Sequence, residues 1–302
     1  MTRQRALVHG WRDDVARALL ARRYDVVIAV DHALPDVLEG ARRLGIDLYE
    51  GPSAPKLERL VERTDIVVPL GDLAADHPLV VSAQRLAVPL RSELEVAGGW
   101  ESARIGGARP ILAVVGAGAS TVAALAAAAL DASGVAVAVA GARGPSLMGV
   151  LDGDVEVFVI ECTTAQLAWA PSFRPAAGAW LNAADGQSDA AAIWLHQQPF
   201  DAAIGPIDDP VVMDRLAVAP GRHVTFGVAG ADYHLAEGWL AGPQGRLAEV
   251  ASMRDHSPEA LLAALAASAL ALEPGLATVD GVALALAAFD GPQHHNEQME
   301  AR

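Results

Sequence analysis

The chain of 302 residues is poor in lysine, cysteine and aromatic side chains, and each scarcity excludes something. Lys56 is the only lysine, so any phosphate contact elsewhere must come from arginine, backbone N–H groups or a metal ion. Acids outnumber bases 37 to 22, giving a formal charge of −15. Such a surface repels polyphosphate backbones and anionic bilayers, which argues against a nucleic-acid partner and against membrane insertion. Cys162 stands alone, which rules out a disulfide framework or a cysteine-rich metal site and points to a reducing compartment. The start, Met-Thr-Arg-Gln-Arg, lacks the apolar core of a signal peptide, and no apolar run reaches membrane length without Gly, Pro or charge. These features predict a cytoplasmic protein. Aromatics make up 5% against 52% hydrophobic residues, so the core is built from Ala, Val and Leu.

What is present is organised around residues 110–130. An apolar run, Ile111-Leu-Ala-Val-Val115, meets Gly116-Ala-Gly-Ala-Ser-Thr121 and opens an Ala/Leu-rich helix. A strand, a glycine turn and a helix N-terminus form the arrangement that cradles phosphates, because the first helical N–H groups are unpaired and the helix dipole favours an anion. The phosphate-loop motif ends in Gly-Lys-Ser/Thr, the Lys reaching the β/γ-phosphates and the hydroxyl holding Mg²⁺. Here Ser120 and Thr121 are present, Ala119 stands in the Lys position, and the spacing between Gly116 and Gly118 is short by one residue. The loop predicts a weak anion site whose N–H groups still face a ligand, with a helix beginning near Thr121. It predicts no ATP binding below millimolar concentration, and a gain on Ala119→Lys.

The length accommodates two domains. The first opens with a βαβ pattern: Ala6-Leu-Val-His-Gly10, a helix from about Asp14 to Arg23, and the strand Asp25 to Val30 closed by Asp31. A dinucleotide fold would carry G-x-G-x-x-G in the first turn. This turn reads Gly10-Trp-Arg-Asp-Asp14, whose acids would repel a pyrophosphate, so a Rossmann-type NAD enzyme is disfavoured. Asp31 stands where such folds place a ribose-binding acid, or is simply a solvated strand-end carboxylate. A further unit runs from Ala41 to Arg63, followed by the strand Asp65 to Leu70 ended by Gly71, then His77-Pro78 and a short helix. The stretch from Ala97 to Pro110 is glycine-rich and aperiodic and reads as the boundary between domains 1–97 and 108–302.

In the second domain, strands are expected at Val135 to Ala140 and Val155 to Ile160, the latter delivering Glu161 at its C-terminal end, where open parallel sheets bind ligands. Glu161 is the candidate Mg²⁺ ligand, its bland counterpart being an acid bonded to local backbone. His294-His295 beside Glu297 is a poor metal site, because adjacent histidines do not face one ligand. Ser120 lacks the G-x-S-x-G elbow of a nucleophile. Trp169, Trp180 and the Ala-rich helix Glu259 to Leu272 read as core.

Several blocks together resemble the Mur ligase family. Pro69-Leu-Gly71 with His77-Pro78 is similar to its Ser-Pro-Gly and His-Pro pair, and Glu161-Cys-Thr-Thr-Ala-Gln-Leu167 to its Glu-Leu-Ser-Ser-Phe-Gln-Leu. Leu181-Asn182, Phe226-Gly227 with Asp232-Tyr-His-Leu235, then His256, Phe289-Asp-Gly291 and His294 follow in the family's order. The resemblance implies an α/β fold with an N-terminal Rossmann-like parallel-sheet domain holding a uridine nucleotide, a central P-loop-NTPase-like domain, and a third domain beyond the point where this chain stops. It places Gly10, Asp31, Gly71 and Asn182 on the UDP-sugar side, and Gly116, Gly118, Ala119, Ser120 and Thr121 in a vestigial phosphate loop. It also implies a UDP-N-acetylmuramoyl-type ligand and a protein partner in cell-wall synthesis.

The family activates a carboxylate as an acyl phosphate with ATP and Mg²⁺, and this chain departs from it at the residues that chemistry needs. Ala119 replaces the loop Lys and Gln187, in Asp185-Gly-Gln-Ser-Asp189, aligns with a metal-binding His. No lysine lies between Trp194 and Ile204, Ser257 replaces an adenine-side Asn, and His295 replaces the closing Arg. No catalytic residue and no cofactor is therefore expected, and the chain reads as a degenerate binding homologue. The alternative is an active ATP- and Mg²⁺-dependent ligase adding D-glutamate, completed by a second chain, with Arg143 as the only cation available near the loop.

Overall fold

The computed structural model describes residues 3–183 and 188–291. Asp185, Gln187, His294, His295 and Glu297 lie outside the described residues. The chain forms two compact units: residues 1–108, 145–152 and 163–173 make the first, and residues 109–144, 153–162 and 174–302 the second. The chain thus leaves the second unit twice to complete the first, an exchange that a boundary drawn at 97–108 does not contain.

In the first unit, β1 (Arg5–His9), β2 (Asp25–Val30), β3 (Asp47–Glu50) and β4 (Ile66–Pro69) form a four-stranded parallel sheet in the order β3-β2-β1-β4. The inner strands are almost continuous Val/Ile/Ala/Leu, as expected of a parallel sheet covered on both faces. Helices α1 (Asp13–Ala21), α2 (Pro35–Leu44), α3 (Ala54–Val61) and α4 (Pro78–Arg85) return the chain between strands or follow them, and Leu57, Leu60, Val61, Leu79, Val80 and Ala83 bury α3 and α4 against the sheet.

The aperiodic stretch beginning at Ala97 is not wholly a linker, because α5 (Glu93–Ser102) runs into it. The Ser92 side chain caps it by accepting from the Glu95 N–H, while Leu94, Val96, Ala97 and Glu101 are buried. Gly98 and Gly99 weaken helix propensity by about 1 kcal/mol each, but the ring of Phe173 packs against this turn, 3.4 Å from where a Gly98 Cβ would be. Tertiary packing overrides the local signal.

The first residue of α5 carries the least comfortable charge of this unit. Glu93 is fully buried; its Oε1 accepts from Nε2 of Gln166 at 3.1 Å and its Oε2 from the Met148 N–H at 3.4 Å. Burial pushes the Glu93 carboxyl up to about 7, against the opposing pull of the Met148 N–H and of Arg12. A folded-state value above the ordinary 4.5 means that the native chain holds a proton the unfolded chain has lost. This contribution to stability is therefore full below pH 4.5 and is lost as pH rises towards 7. Glu93→Gln should flatten that part of the stability–pH profile and stabilise the protein at pH 8; urea midpoints measured from pH 4.5 to 8 would test it, and an unchanged slope would refute it.

The second unit is a nine-stranded sheet in the order β13-β12-β11-β10-β9-β8-β5-β7-β6. Strands β5 (Ile111–Val115), β6 (Val137–Gly141), β7 (Val157–Glu161), β8 (Ala177–Trp180), β9 (Ala202–Pro206) and β10 (Arg222–Gly227) are parallel, as is β11 (Tyr233–Ala236) to β10. β12 (Trp239–Gly242) and β13 (Gly245–Glu249) turn antiparallel at the edge. Strands β6 and β7 begin two residues later than their apolar runs suggest, so Glu161 is the last residue of β7 rather than the first beyond it.

The helix α6 (Ala119–Ala132) packs between α8 (Pro258–Leu272) and α9 (Val279–Ala288), and α7 (Pro210–Leu216) covers β9. From Ala264 to Leu272 every residue of α8 is buried, the pattern of a helix enclosed on all sides. Small residues make this possible. A Cβ on Gly281 of α9 would lie 3.0 Å from the Ala129 carbonyl oxygen of α6, so the two helices approach backbone to backbone. No helix among the described residues is long and apolar enough to cross a membrane.

Candidate functional site

The glycine turn after β5 is held from the side. Gly116 and Gly118 have φ of +116° and +88°, a region open to glycine and costly for other residues. A Cβ on Gly116 would sit 3.3 Å from both the backbone N and the Oδ1 of Asn182. That closeness lets the Asn182 amide grip Ala117 at both ends: its Oδ1 accepts from the Ala117 N–H at 3.1 Å, and its Nδ2 donates to the Ala117 carbonyl at 3.0 Å. The Ala119 N–H bonds the Gly116 carbonyl, and the N–H groups of Thr121 and Val122 bond that of Gly118.

These bonds narrow the expectation that the loop N–H groups face a ligand. Those of Ala117, Ala119 and Thr121 are already used within the protein. The helix also starts two residues early. Ala119 is its first residue and is 4% exposed, with its methyl in the core of the unit; Ser120 and Thr121 are half-buried.

Beside the loop lies a cavity of about 730 Å³, walled by Leu181, Pro206, Phe226 and Leu262 and carrying Asn182, Asp208, Asp209 and Glu259 as its polar groups. Asp209 caps α7, accepting from the N–H groups of Val211 and Val212, and its second oxygen takes the Ala183 N–H. A second cavity of about 490 Å³ is lined by Thr121, Leu125, Arg254, Ser257, Glu259 and Phe289 among others. Its one cation, Arg254, is 2.9 Å from Asp290. Ser257 caps α8 by accepting from the Ala260 N–H, which gives this position a structural task.

Glu161 pairs in register with Val114 of β5 on one side and Gly141 of β6 on the other, at the C-terminal edge of the sheet. A Cβ on Gly141 would lie 2.4 Å from the Glu161 carbonyl oxygen, so only glycine lets β6 lie this close. Arg143 is exposed in the following turn. Trp180 is fully buried and Trp169 packs against the core of the first unit, as expected of core residues. Two blocks singled out in the sequence have structural roles. Thr163 and Gln166 form a capping box, and Asp232 accepts from both the N–H and the hydroxyl of Thr225.

In the first unit, Gly10 follows β1 with φ +100°, Asp31 follows β2 and Gly71 follows β4, so all three sit at the C-terminal edge of the parallel sheet. Asn182 belongs to the loop of the second unit. The acids at the start of α1 are neutralised locally. Arg17 and Arg43 hold the Asp13 carboxyl low. Burial pushes Asp14 up, but Arg12 and the Ser146 N–H together outweigh it and keep that carboxyl low as well. The expected repulsion of a pyrophosphate by these acids is accordingly weakened. The same edge contains two histidines the sequence had not marked as a pair: His9 ends β1 and His77 caps α4, their ring centroids 5.1 Å apart.

If the Asn182 amide shapes the loop, Asn182→Ala should reduce unfolding free energy by about 1–2 kcal/mol. Amide exchange at Ala117 should accelerate with it. Unchanged exchange at Ala117 would show that the glycines alone set the loop.

No protein-family model matches the chain. Among curated proteins it is 32% identical to UDP-N-acetylmuramoylalanine–D-glutamate ligase of Frankia casuarinae, the match covering 94% of this chain and 63% of that protein. It is 30% identical to the ligase of the same name from Mycolicibacterium vanbaalenii, over 87% of this chain and 57% of that protein. The chain therefore spans about three fifths of the length of these relatives. Among solved structures, the UDP-N-acetylmuramate:L-alanyl-γ-D-glutamyl-meso-diaminopimelate ligase from Neisseria meningitides superposes with a TM-score of 0.65 at 17% identity, covering 95% of this chain and 98% of that one. UDP-N-acetylmuramate–alanine ligase from Thermotoga maritima gives 0.60 at 19% identity, over 96% and 69%. These two likenesses establish the shared fold. The curated matches show what the chain resembles in sequence, the UDP-N-acetylmuramoylalanine–D-glutamate ligases of the Mur ligase family.

Proposed function

We propose that this chain binds a UDP-N-acetylmuramoyl-type precursor in cell-wall synthesis, in the cytoplasm, without itself carrying out ATP-dependent ligation. The single observation that carries the reading is the state of the glycine loop. Transfer of a γ-phosphoryl group requires positive charge concentrated on the phosphate oxygens. Here the Lys position is a buried Ala119, and the loop N–H groups of Ala117, Ala119 and Thr121 are bonded internally. The charged groups lining the adjoining cavity are Asp208, Asp209 and Glu259. A Mg²⁺–triphosphate is poorly matched to that set, for the outer phosphates would face carboxylates, and the cation that lines the neighbouring cavity, Arg254, is already paired with Asp290.

The C-terminal edge of the first sheet is the better anion host. Gly71 has open space beside it, Asp31 can accept from a hydroxyl or imide, and Asp13 and Asp14 are neutralised by arginines and a backbone N–H. The protein partner implied by the family resemblance remains part of this reading.

Calorimetry separates the possibilities. UDP-N-acetylmuramoyl-L-alanine should bind, with Asp31→Ala weakening it by about tenfold or more, equivalent to about 1.4 kcal/mol. ATP–Mg²⁺ should give no heat of binding below about 1 mM. Submillimolar ATP affinity together with phosphate release on adding D-glutamate would establish the alternative, an active ligase.

A further inference from the structure

The strongest cluster of metal-ligating side chains among the described residues lies apart from the glycine loop. His9, Asp31 and His77 each offer a ligand atom within 4.8 Å of the other two. They come from three elements of the first unit: the last residue of β1, the residue after β2, and the N-cap of α4. They meet at the C-terminal edge of the sheet between its two central strands and the β4 connection, the kind of place where open parallel sheets bind ligands.

The geometry is that of separated donors rather than of a closed hydrogen-bond network. Nε2 of His9 is 3.7 Å from Oδ1 of Asp31, beyond hydrogen-bond length. The rings of His9 and His77 stand edge to face at 68°, with centroids 5.1 Å apart. Zinc bonds of about 2.0–2.2 Å at tetrahedral angles put donor atoms roughly 3.4 Å apart. The His9–Asp31 separation is already close to that, and the remaining closure falls to Asp31, which is exposed, and His77, which is half-buried.

We propose that His9, His77 and Asp31 form a binding site for a divalent transition metal of the zinc class, with two imidazoles and one carboxylate as ligands and a fourth position left for solvent or a ligand oxygen. Two nitrogens and one carboxylate oxygen with an open position are a donor set that such ions take. His9 is ready for the role: it is 7% exposed and its Nε2 already faces the Asp31 carboxylate. His77 must rearrange. Its Nδ1 accepts from the Leu79 N–H at 3.2 Å, so coordination through Nε2 moves the ring proton to Nδ1 and gives up that long cap. The site is thus coupled to the first turn of α4.

The inference concerns a metal ion and does not rest on the nucleotide-sugar reading, although Asp31 belongs to both. Zn²⁺ titrated calorimetrically into the full chain in the absence of nucleotide separates them. The expected result is one Zn²⁺ per chain with a Kd of about 10 μM or tighter, and Co²⁺ giving the visible bands of a four-coordinate ion. His77→Asn keeps a capping acceptor and removes the imidazole; it and Asp31→Asn should each weaken binding at least tenfold, as should His9→Gln. The double substitution His294→Ala and His295→Ala should leave the affinity unchanged. His77→Asn and Asp31→Asn change residues that are not buried, so they decide the matter even if His9→Gln does not fold. No Zn²⁺ binding tighter than about 1 mM, or binding that survives His77→Asn and Asp31→Asn, would overturn the proposal.

Discussion

The amide of Asn182 closes on both polar ends of Ala117, and the properties of the glycine loop follow from that contact. An amide is the side chain suited to this grip, since it offers an acceptor and a donor on one planar group. The absence of a Cβ on Gly116 eases the amide's approach to Ala117, since that atom would stand 3.3 Å from the Asn182 Oδ1. The consequence extends into the helix. With Gly116 and Gly118 in left-handed backbone and Ala117 fixed, α6 begins at Ala119, whose methyl turns into the core, and the first carbonyls of the loop take the N–H groups that would otherwise meet an anion. The loop keeps the outline of a phosphate cradle while using its donors for its own stability.

Close packing of small residues is the second constraint. With few aromatic rings available, the second unit fills its interior by bringing helices near one another. The α6 helix presents Ala123, Ala126, Ala127 and Ala129 to its surroundings, and α9 crosses it at Gly281. Dispersion between many close atoms substitutes for the large contact area of rings. Such a core tolerates little added volume, since the touching atoms include backbone carbonyls that cannot swing aside.

The local signals were legible in the sequence and the long-range ones were not. The apolar run at Ile111 to Val115, the glycines and the Ala-rich helix announced a strand, a turn and a helix, because each depends on neighbours within a few residues. The order of strands and helices in the first unit was legible for the same reason. The helix α5 was missed where Gly98 and Gly99 argued against it, since the Phe173 ring that packs there lies 75 positions along the chain. The return of residues 145–152 and 163–173 to the first unit carries no local mark. Nor does the pairing of Glu93 with Gln166, or that of His9 with His77, each of which joins elements far apart in sequence. The grip of Asn182 on Ala117 carries no local mark either, because it is set by which strands end side by side.

The two sheet edges therefore differ in what they can hold. Both are C-terminal ends of parallel strands, where helix N-termini and free backbone favour an anion. In the second unit the cavity beside that edge carries Asp208, Asp209 and Glu259, and the cation of the neighbouring cavity, Arg254, is bound to Asp290. In the first unit, Asp13 and Asp14 are matched by arginines and a backbone N–H, Asp31 faces an imidazole and Glu50 takes the Ala33 N–H. At a net charge of −15 a diphosphate meets repulsion wherever it approaches, and the edge that has already neutralised its own acids presents the smaller barrier. Local neutralisation, rather than the total charge of the chain, sets the difference between the two edges.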